Sequence, residues 1–281
     1  MNRQLRCAAI HDISCFGKCS LTVALPVLSA AGIECCCIPT AILSTHTGGF
    51  RGYTYRDLTY DLLPVARHWC SEGIALDAFY TGYLGSPEQV DIVRRILRML
   101  DPEHKALRLI DPVMGDHGRL YNGFAPDFPL LMRELIAEAD VICPNLTEAA
   151  LLTDRKYMEG PHDPADIKGL LDDLESRCAG RIVLTGVQLD AGSMGAAVRE
   201  HGQTFFVSAK RINGIYHGTG DVFASVLLSC LLNGRSLREA AEFACSFTSD
   251  CVRVTQDTMP EVHYGVRFEA LLPKLIHTLE L

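Results

Sequence analysis

Short apolar runs along the chain alternate with longer stretches in which apolar residues recur every three or four positions. The short runs are Leu5 to Ile10, Ile33 to Pro39, Ala78 to Tyr80, Leu107 to Ile110, Val141 to Cys143 and Ile182 to Leu184. They lack the strict alternation of a strand with one wet face, so they predict strands buried on both sides. The longer stretches predict helices: Cys19 to Ala30, Tyr55 to Cys70, Pro87 to Leu100, Phe128 to Ala139 and Asp166 to Cys178. Strands separated by helices predict a doubly wound α/β fold, a mostly parallel central sheet with helices on both faces. Pro26 should kink the first helix or shift its start. Met194 to Ser208 breaks the rhythm and predicts a hairpin at a sheet edge, turning near His201-Gly202-Gln203. Two apolar helices should follow Asp221, Val222 to Leu232 and Leu237 to Val254. The first is apolar on nearly every side and should be buried.

No repeat, low-complexity tract or linker divides residues 1–281, and the length suits one large domain with an ample core. Apolar residues make up 48% of the chain and charged residues 21%, which excludes wholesale disorder. The net charge is −8 with no basic cluster, which argues against nucleic acid or an anionic membrane as partner. A phosphate-bearing substrate would then need local help from a helix N-terminus or a metal. No run of about 18 apolar residues occurs, and Arg3 and Arg6 precede no long apolar stretch, so neither a membrane span nor a secretory leader is expected. Twelve cysteines without a C-x-x-C pair read as small core hydrophobes in a reducing cytoplasm. Cys35-Cys36-Cys37 would point to alternate faces of a strand, which makes a poor chelate.

Open α/β sheets bind ligands beyond the carboxyl ends of their strands. After the fourth predicted strand comes Asp111-Pro112-Val113-Met114-Gly115-Asp116. Its two carboxylates could hold a hard cation, or the segment could be a simple turn. After the fifth comes Pro144-Asn145-Leu146-Thr147-Glu148. Asn145 and Glu148 have capping-box spacing, and could also face the cleft. His217-Gly218-Thr219-Gly220-Asp221 opens the buried helix. Two glycines there allow close approach of a ligand, and free N–H groups with the helix dipole favour an anion. Asp221 in the first turn could accept the proton of an attacking hydroxyl, or merely match the dipole. Thr81-Gly82-Tyr83-Leu84-Gly85-Ser86 suits ligand approach, or a turn with Ser86 as N-cap and Pro87 at the first helical position. Ser44-Thr45-His46-Thr47-Gly48-Gly49-Phe50 could grip a small polar ring, or be a bland loop. There is no G-x-x-x-x-G-K-[S/T] motif and no G-x-G-x-x-G after the first strand, which excludes a P-loop enzyme and disfavours a dinucleotide oxidoreductase.

Taken together and in order, these segments resemble the pyridoxal kinase family of the ribokinase-like superfamily, over about residues 5 to 255. The resemblance implies one kinase domain without a separate lid, usually homodimeric. It implies phosphorylation of the 5′-hydroxymethyl group of pyridoxal, pyridoxamine or pyridoxine by Mg²⁺-ATP, with a monovalent cation (K⁺) left open. Asp221 would match the family's catalytic base, and Gly218, Thr219 and Gly220 its anion hole. Asp111, Asn145, Glu148, Thr185 and Tyr121 would lie around the nucleotide, and Asp111, Asp116 and Glu148 around the metal. Ser44, Thr47 and Tyr83 would face the pyridine ring, and Val113 would help close the site. Asp12 stands where familiar members often have a ring-contacting Ser, and a carboxylate there could favour an amine-bearing or ring-protonated substrate, or be rotated away from the ring. A hydroxymethylpyrimidine or sugar kinase of the same fold, and a non-catalytic B6-binding protein, are the competing readings.

Overall fold

The structure, a computed structural model, describes residues 3–178, 180–259 and 264–281. Six parallel strands form the middle of one sheet: β1 (Arg6–Ser14), β2 (Glu34–Leu43), β4 (Ala78–Thr81), β5 (Leu107–Ile110), β8 (Val141–Ile142) and β9 (Arg181–Val187). The full order is β11-β10-β9-β8-β5-β4-β1-β2-β3, with β3 (Tyr55–Asp57), β10 (Ser193–Glu200) and β11 (Gln203–Lys210) antiparallel at the two edges. The expected edge hairpin is thus β10–β11, turning at His201 and Gly202.

Helices cover both faces because each strand is apolar on both. Cys7 of β1 packs with α1 (Leu21–Ala30), α7 (Thr219–Leu232), α8 (Leu237–Thr258) and α9 (Leu272–Thr278). Its neighbours Ala8 and Ile10 pack with α2 (Thr59–Ser71), α3 (Pro87–Leu100), α4 (Phe128–Ile136), α5 (Leu146–Thr153) and α6 (Pro164–Glu175). Alternate residues of one strand therefore serve two cores. α7 is buried along Val222 to Cys230, as its all-round apolar sequence predicts. Ser86 caps α3 through Gln89 N–H, with Pro87 at the first turn.

Several boundaries differ from expectation. β1 and β2 each run four residues past their apolar cores, so Asp12 lies within a strand and not in the loop beyond it. Tyr55 to Asp57 forms the edge strand β3 and not the start of a helix, and all three residues are exposed. α1 begins at Leu21, two residues late, and continues through Pro26. A two-residue hairpin, β6 (Gly115–Asp116) and β7 (Arg119–Leu120), follows β5. All twelve cysteines are free thiols. Among the described residues no helix is long and apolar enough to cross a membrane.

The winding direction reverses at β1. The chain leaves β1 for β2 on one side and returns to β4 on the other. The crevice beyond the carboxyl ends of β1 and β4 is where such folds hold their ligands.

Candidate active site

Four carboxyl groups gather at this end of the sheet. Asp12 lies near the end of β1, Asp111 follows the last residue of β5, Glu148 sits in the first turn of α5, and Asp221 in the first turn of α7. Asp12, Asp111 and Glu148 are buried. Asp221 keeps partial solvent contact although protein atoms crowd around it, as befits the floor of a cleft.

The two acidic motifs read separately along the chain form one unit. Asn145 Oδ1 accepts the Glu148 N–H at 2.9 Å, and Glu148 Oε2 accepts the Asn145 N–H at 2.8 Å, which completes the capping box. The same side chains reach across to the β6–β7 hairpin. Glu148 Oε1 accepts the Met114 N–H at 3.2 Å, Asn145 Nδ2 donates to the Gly115 carbonyl at 2.9 Å, and Thr147 Oγ1 accepts the Gly118 N–H at 2.9 Å. Thr185 joins from β9, donating its N–H (2.9 Å) and hydroxyl (3.3 Å) to the Pro144 carbonyl. The capping reading of Asn145 and Glu148 holds, and the same side chains, with Thr147, tie the segment 114–118 to the start of the helix.

The start of α7 leaves its first N–H groups without a side-chain cap, and Gly218 stands at the cap position at φ +76°. Those groups have no partner within the helix. A methyl at Gly218 would meet the Lys18 backbone oxygen at 2.0 Å, whereas one at Gly220 would meet nothing within 4 Å. Gly218 thus lets the β1–α1 loop close on the helix, while Gly220 borders open space. Ser20, at φ 56°, donates its backbone N–H to Asp221 and fixes the carboxylate.

The Ser44 to Phe50 loop lies against this turn. Gly48 abuts the His217 ring, which a methyl would meet at 2.5 Å, and His46 stands 5.2 Å from His217, ring centre to ring centre. Thr47, exposed between His46 and Gly48, flanks the helix start. Ser44 is engaged within the loop itself, where its Oγ accepts the Thr54 N–H at 2.9 Å as a brace. Tyr83, half-buried, lies 5.6 Å from Phe124, which stacks on Phe128 at 4.1 Å, making an aromatic wall.

The electrostatics tie these parts together. Burial, with repulsion from Glu148 and Asp221, holds the Asp111 carboxyl far above the carboxylate range. Burial raises Glu148 to about 8, against the pull of its backbone N–H partners. Burial and the Asp12 charge raise Asp221 to about 7. Burial and the charges of Glu148, Asp116, Asp111 and Asp221 raise the Tyr121 hydroxyl, which places Tyr121 over the same acids. Asp116 is exposed and accepts the His117 N–H at 2.8 Å, so it stands at the rim. Among the described residues no three His, Cys, Asp or Glu side chains form a metal site unaided.

These raised carboxyls fix a pH dependence. Folded Asp221 and Glu148 keep protons that the unfolded chain releases near 3.8 and 4.5. Their stabilising contribution is full below those values and is lost as pH rises through about 7 and 8. The protein alone should therefore melt at a higher temperature near pH 5 than near pH 8, and Glu148→Gln should flatten that slope. Equal slopes for variant and wild type in scanning calorimetry would show that Glu148 is not the group concerned.

Sequence reasoning missed Ser20, the Lys18 carbonyl and Phe124. Lys18 and Ser20 act here through their backbone, which no side-chain pattern announces, and Phe124 follows a two-residue strand too short to register.

Residues 23–266 match the phosphomethylpyrimidine kinase family model. A pyridoxine/pyridoxal/pyridoxamine kinase from Bordetella avium is 30% identical, covering 86% of this chain and 82% of the relative. The crystal structure of pyridoxal kinase from Lactobacillus plantarum superposes with a TM-score of 0.91 at 33% identity, covering 99% of each chain. A Bacteroides thetaiotaomicron structure, provisionally assigned as a phosphomethylpyrimidine kinase and crystallised in an orthorhombic form with pyridoxal, gives 0.88 at 35% identity, covering 99% of this chain and 96% of the other.

Proposed function

The chain belongs to the phosphomethylpyrimidine kinase family, on its pyridoxal kinase branch, and on that footing we propose that it transfers the γ-phosphoryl group of ATP to the 5′-hydroxymethyl group of vitamin B6 compounds. The observation that carries this reading is Asp221. Its carboxyl sits at the opening of α7, raised to about 7, beside the open space over Gly220.

The chemistry follows from the chain's own groups. Asp221 takes the proton of the substrate hydroxyl as its oxygen attacks the γ-phosphorus. A P–O bond forms to the alcohol, the bond to the β-phosphate bridging oxygen breaks, ADP leaves, and the proton rests on Asp221. The N–H groups of Thr219 and Gly220, with the α7 dipole, stabilise charge on the equatorial oxygens. Asn145 and Thr185 border the nucleotide phosphates, Tyr121 covers them, and Tyr83 and Thr47 flank the pyridine ring. Val113 helps close over both.

Asp111 and Glu148 suit Mg²⁺. They are hard oxygen donors, buried together, and no Lys, Arg or His among the described residues pairs with either. Glu148 already accepts backbone N–H bonds from Asn145, Met114 and Gly115, while among the described residues none is donated to the Asp111 carboxylate, so Asp111 would hold the ion and Glu148 its water. Asp116 would act from the rim. Mg²⁺, when bound, supplies neutralisation of phosphate charge. A K⁺ requirement, one kinase domain over residues 1–281, a homodimer and a cytoplasmic location are proposed on family grounds. The twelve free thiols support the last.

An ADP-release assay with pyridoxal, pyridoxamine, pyridoxine, hydroxymethylpyrimidine and ribose tests the reading. The B6 compounds should exceed the others in kcat/KM by at least about tenfold, as hydrogen-bonding sites discriminate. Preference for the pyrimidine or the sugar would assign a different substrate. Tight B6 binding without ADP release would make the protein a binding module.

A further inference from the structure

Gln89 is a fully buried amide in the first turn of α3, with both its oxygen and its nitrogen engaged. A Gln at this place usually turns back to the N–H of the cap residue, here Ser86. This side chain instead accepts the N–H of Gly85 at 2.8 Å, one residue earlier. That N–H can only donate, so the amide oxygen faces the turn and the nitrogen faces away from it. Nε2 donates to three groups outside α3: the Thr40 carbonyl of β2 at 3.0 Å, Thr59 Oγ1 of α2 at 3.0 Å and Asp57 Oδ2 of β3 at 3.3 Å. One side chain thereby joins four elements.

Thr40 grips the same turn a second time, its Oγ1 donating to the Tyr83 carbonyl at 3.2 Å. Tyr83 and Gly85 are thus pinned, on either side of Leu84, to the strand that runs on into the Ser44–Phe50 loop. A methyl at Gly85 would meet Tyr55 Oη at 2.5 Å, so β3 closes on the turn as well. The other side of the crevice hangs on a separate set of bonds, from Asn145, Thr147 and Glu148 to residues 114–118, and none of the Gln89 bonds reaches it. A buried polar network whose members are all satisfied holds one geometry. We propose that Gln89 is a positioning residue for the alcohol substrate, fixing the Tyr83 wall at a set distance from the loop that carries Thr47. The inference rests on the B6 kinase reading, in which Tyr83 and Thr47 flank the pyridine ring.

Gln89→Glu keeps the size of the side chain and an oxygen for the Gly85 N–H, but loses the donors and sets a second carboxylate beside Asp57. The KM for pyridoxal should rise by about tenfold or more, the order of one lost hydrogen bond, while kcat and the KM for Mg²⁺-ATP stay within about twofold. Adding Asp57→Asn offers an N–H to the new carboxylate and keeps an oxygen for the Thr59 N–H. The double variant should return the KM for pyridoxal to within about threefold of wild type. A brace with no bearing on the pocket would lower the melting temperature and leave that KM unaltered, which overturns the proposal. So does a joint change in kcat and both KM values. If Gln89→Glu does not fold, Thr40→Val, which removes only the bond to the Tyr83 carbonyl, decides alone. The same selective rise in KM for pyridoxal supports the proposal, and a change under about twofold overturns it while the kinase reading stands. A wild-type enzyme that phosphorylates no B6 compound defeats the kinase reading itself, and this inference with it.

Discussion

Asp221→Asn is expected to lower kcat by about a thousandfold or more, the range of a lost general base, while the KM for Mg²⁺-ATP moves by less than about threefold. The amide keeps the size of the side chain and can still accept the Ser20 N–H, so the helix start should be preserved. What it cannot do is take a proton. With Asp221 raised to about 7 in the free enzyme, wild-type kcat/KM should fall as pH drops below that value, because the base is then protonated. The residual activity of the variant should lack that limb. Steady-state kinetics from about pH 5.5 to about pH 9 reads both features. A variant within about tenfold of wild-type turnover would remove Asp221 from the base role.

The two glycines of the same turn should separate folding from catalysis. Gly218→Ala forces a side chain into the left-handed region at φ +76° and drives a methyl to 2.0 Å from the Lys18 carbonyl oxygen. The backbone conformation alone costs about 1–2 kcal/mol. The displaced loop should bring the total fall in melting temperature to on the order of 5 °C. Activity should fall by about 100-fold or more, since Ser20 moves with that loop and the anion donors shift. Gly220→Ala meets no protein atom. Its melting temperature should stay within about 2 °C of wild type, as a helix-compatible Gly→Ala change usually allows. Its kcat should nevertheless drop by about 100-fold, because the methyl occupies space reserved for the phosphoryl group. If Gly220→Ala were fully active, that space would not be where transfer occurs.

The fold was legible where side-chain chemistry repeats over many residues. α3 begins and ends at its predicted limits because Ser86, Pro87 and an amphipathic run all agree. β3 was not legible: Tyr55, Arg56 and Asp57 are exposed, so no burial pattern distinguishes them from the helix that follows. β6 and β7 are two residues each and are held by Asn145, Thr147 and Glu148 from far along the chain, a tertiary cause that no local window contains. The site was legible as a set of strand ends. Its internal wiring was not. Ser44 offers the right chemistry for a ligand contact, yet its hydroxyl serves the Thr54 N–H. Asp12 looked like a loop residue because the apolar run stops at Ile10, and only the pairing of β1 with β2 through Leu43 carries the strand past it.

The reversal of winding at β1 also governs when the enzyme can come into being. The first carboxylate of the crevice lies at residue 12 and the last at residue 221, and the strands between them pair through crossovers of high contact order. A nascent chain that has emerged only through α5 holds Asp111 and Glu148 but has no Asp221 to take the hydroxyl's proton. On the proposed roles of these acids it would present a place for phosphate and metal, yet could not complete a transfer. Competence arrives only when α7 docks on the finished sheet. On the proposed assignment, the base at the start of α7 doubles as a checkpoint on synthesis, and a chain truncated before Thr219 should be silent however well its earlier strands assemble.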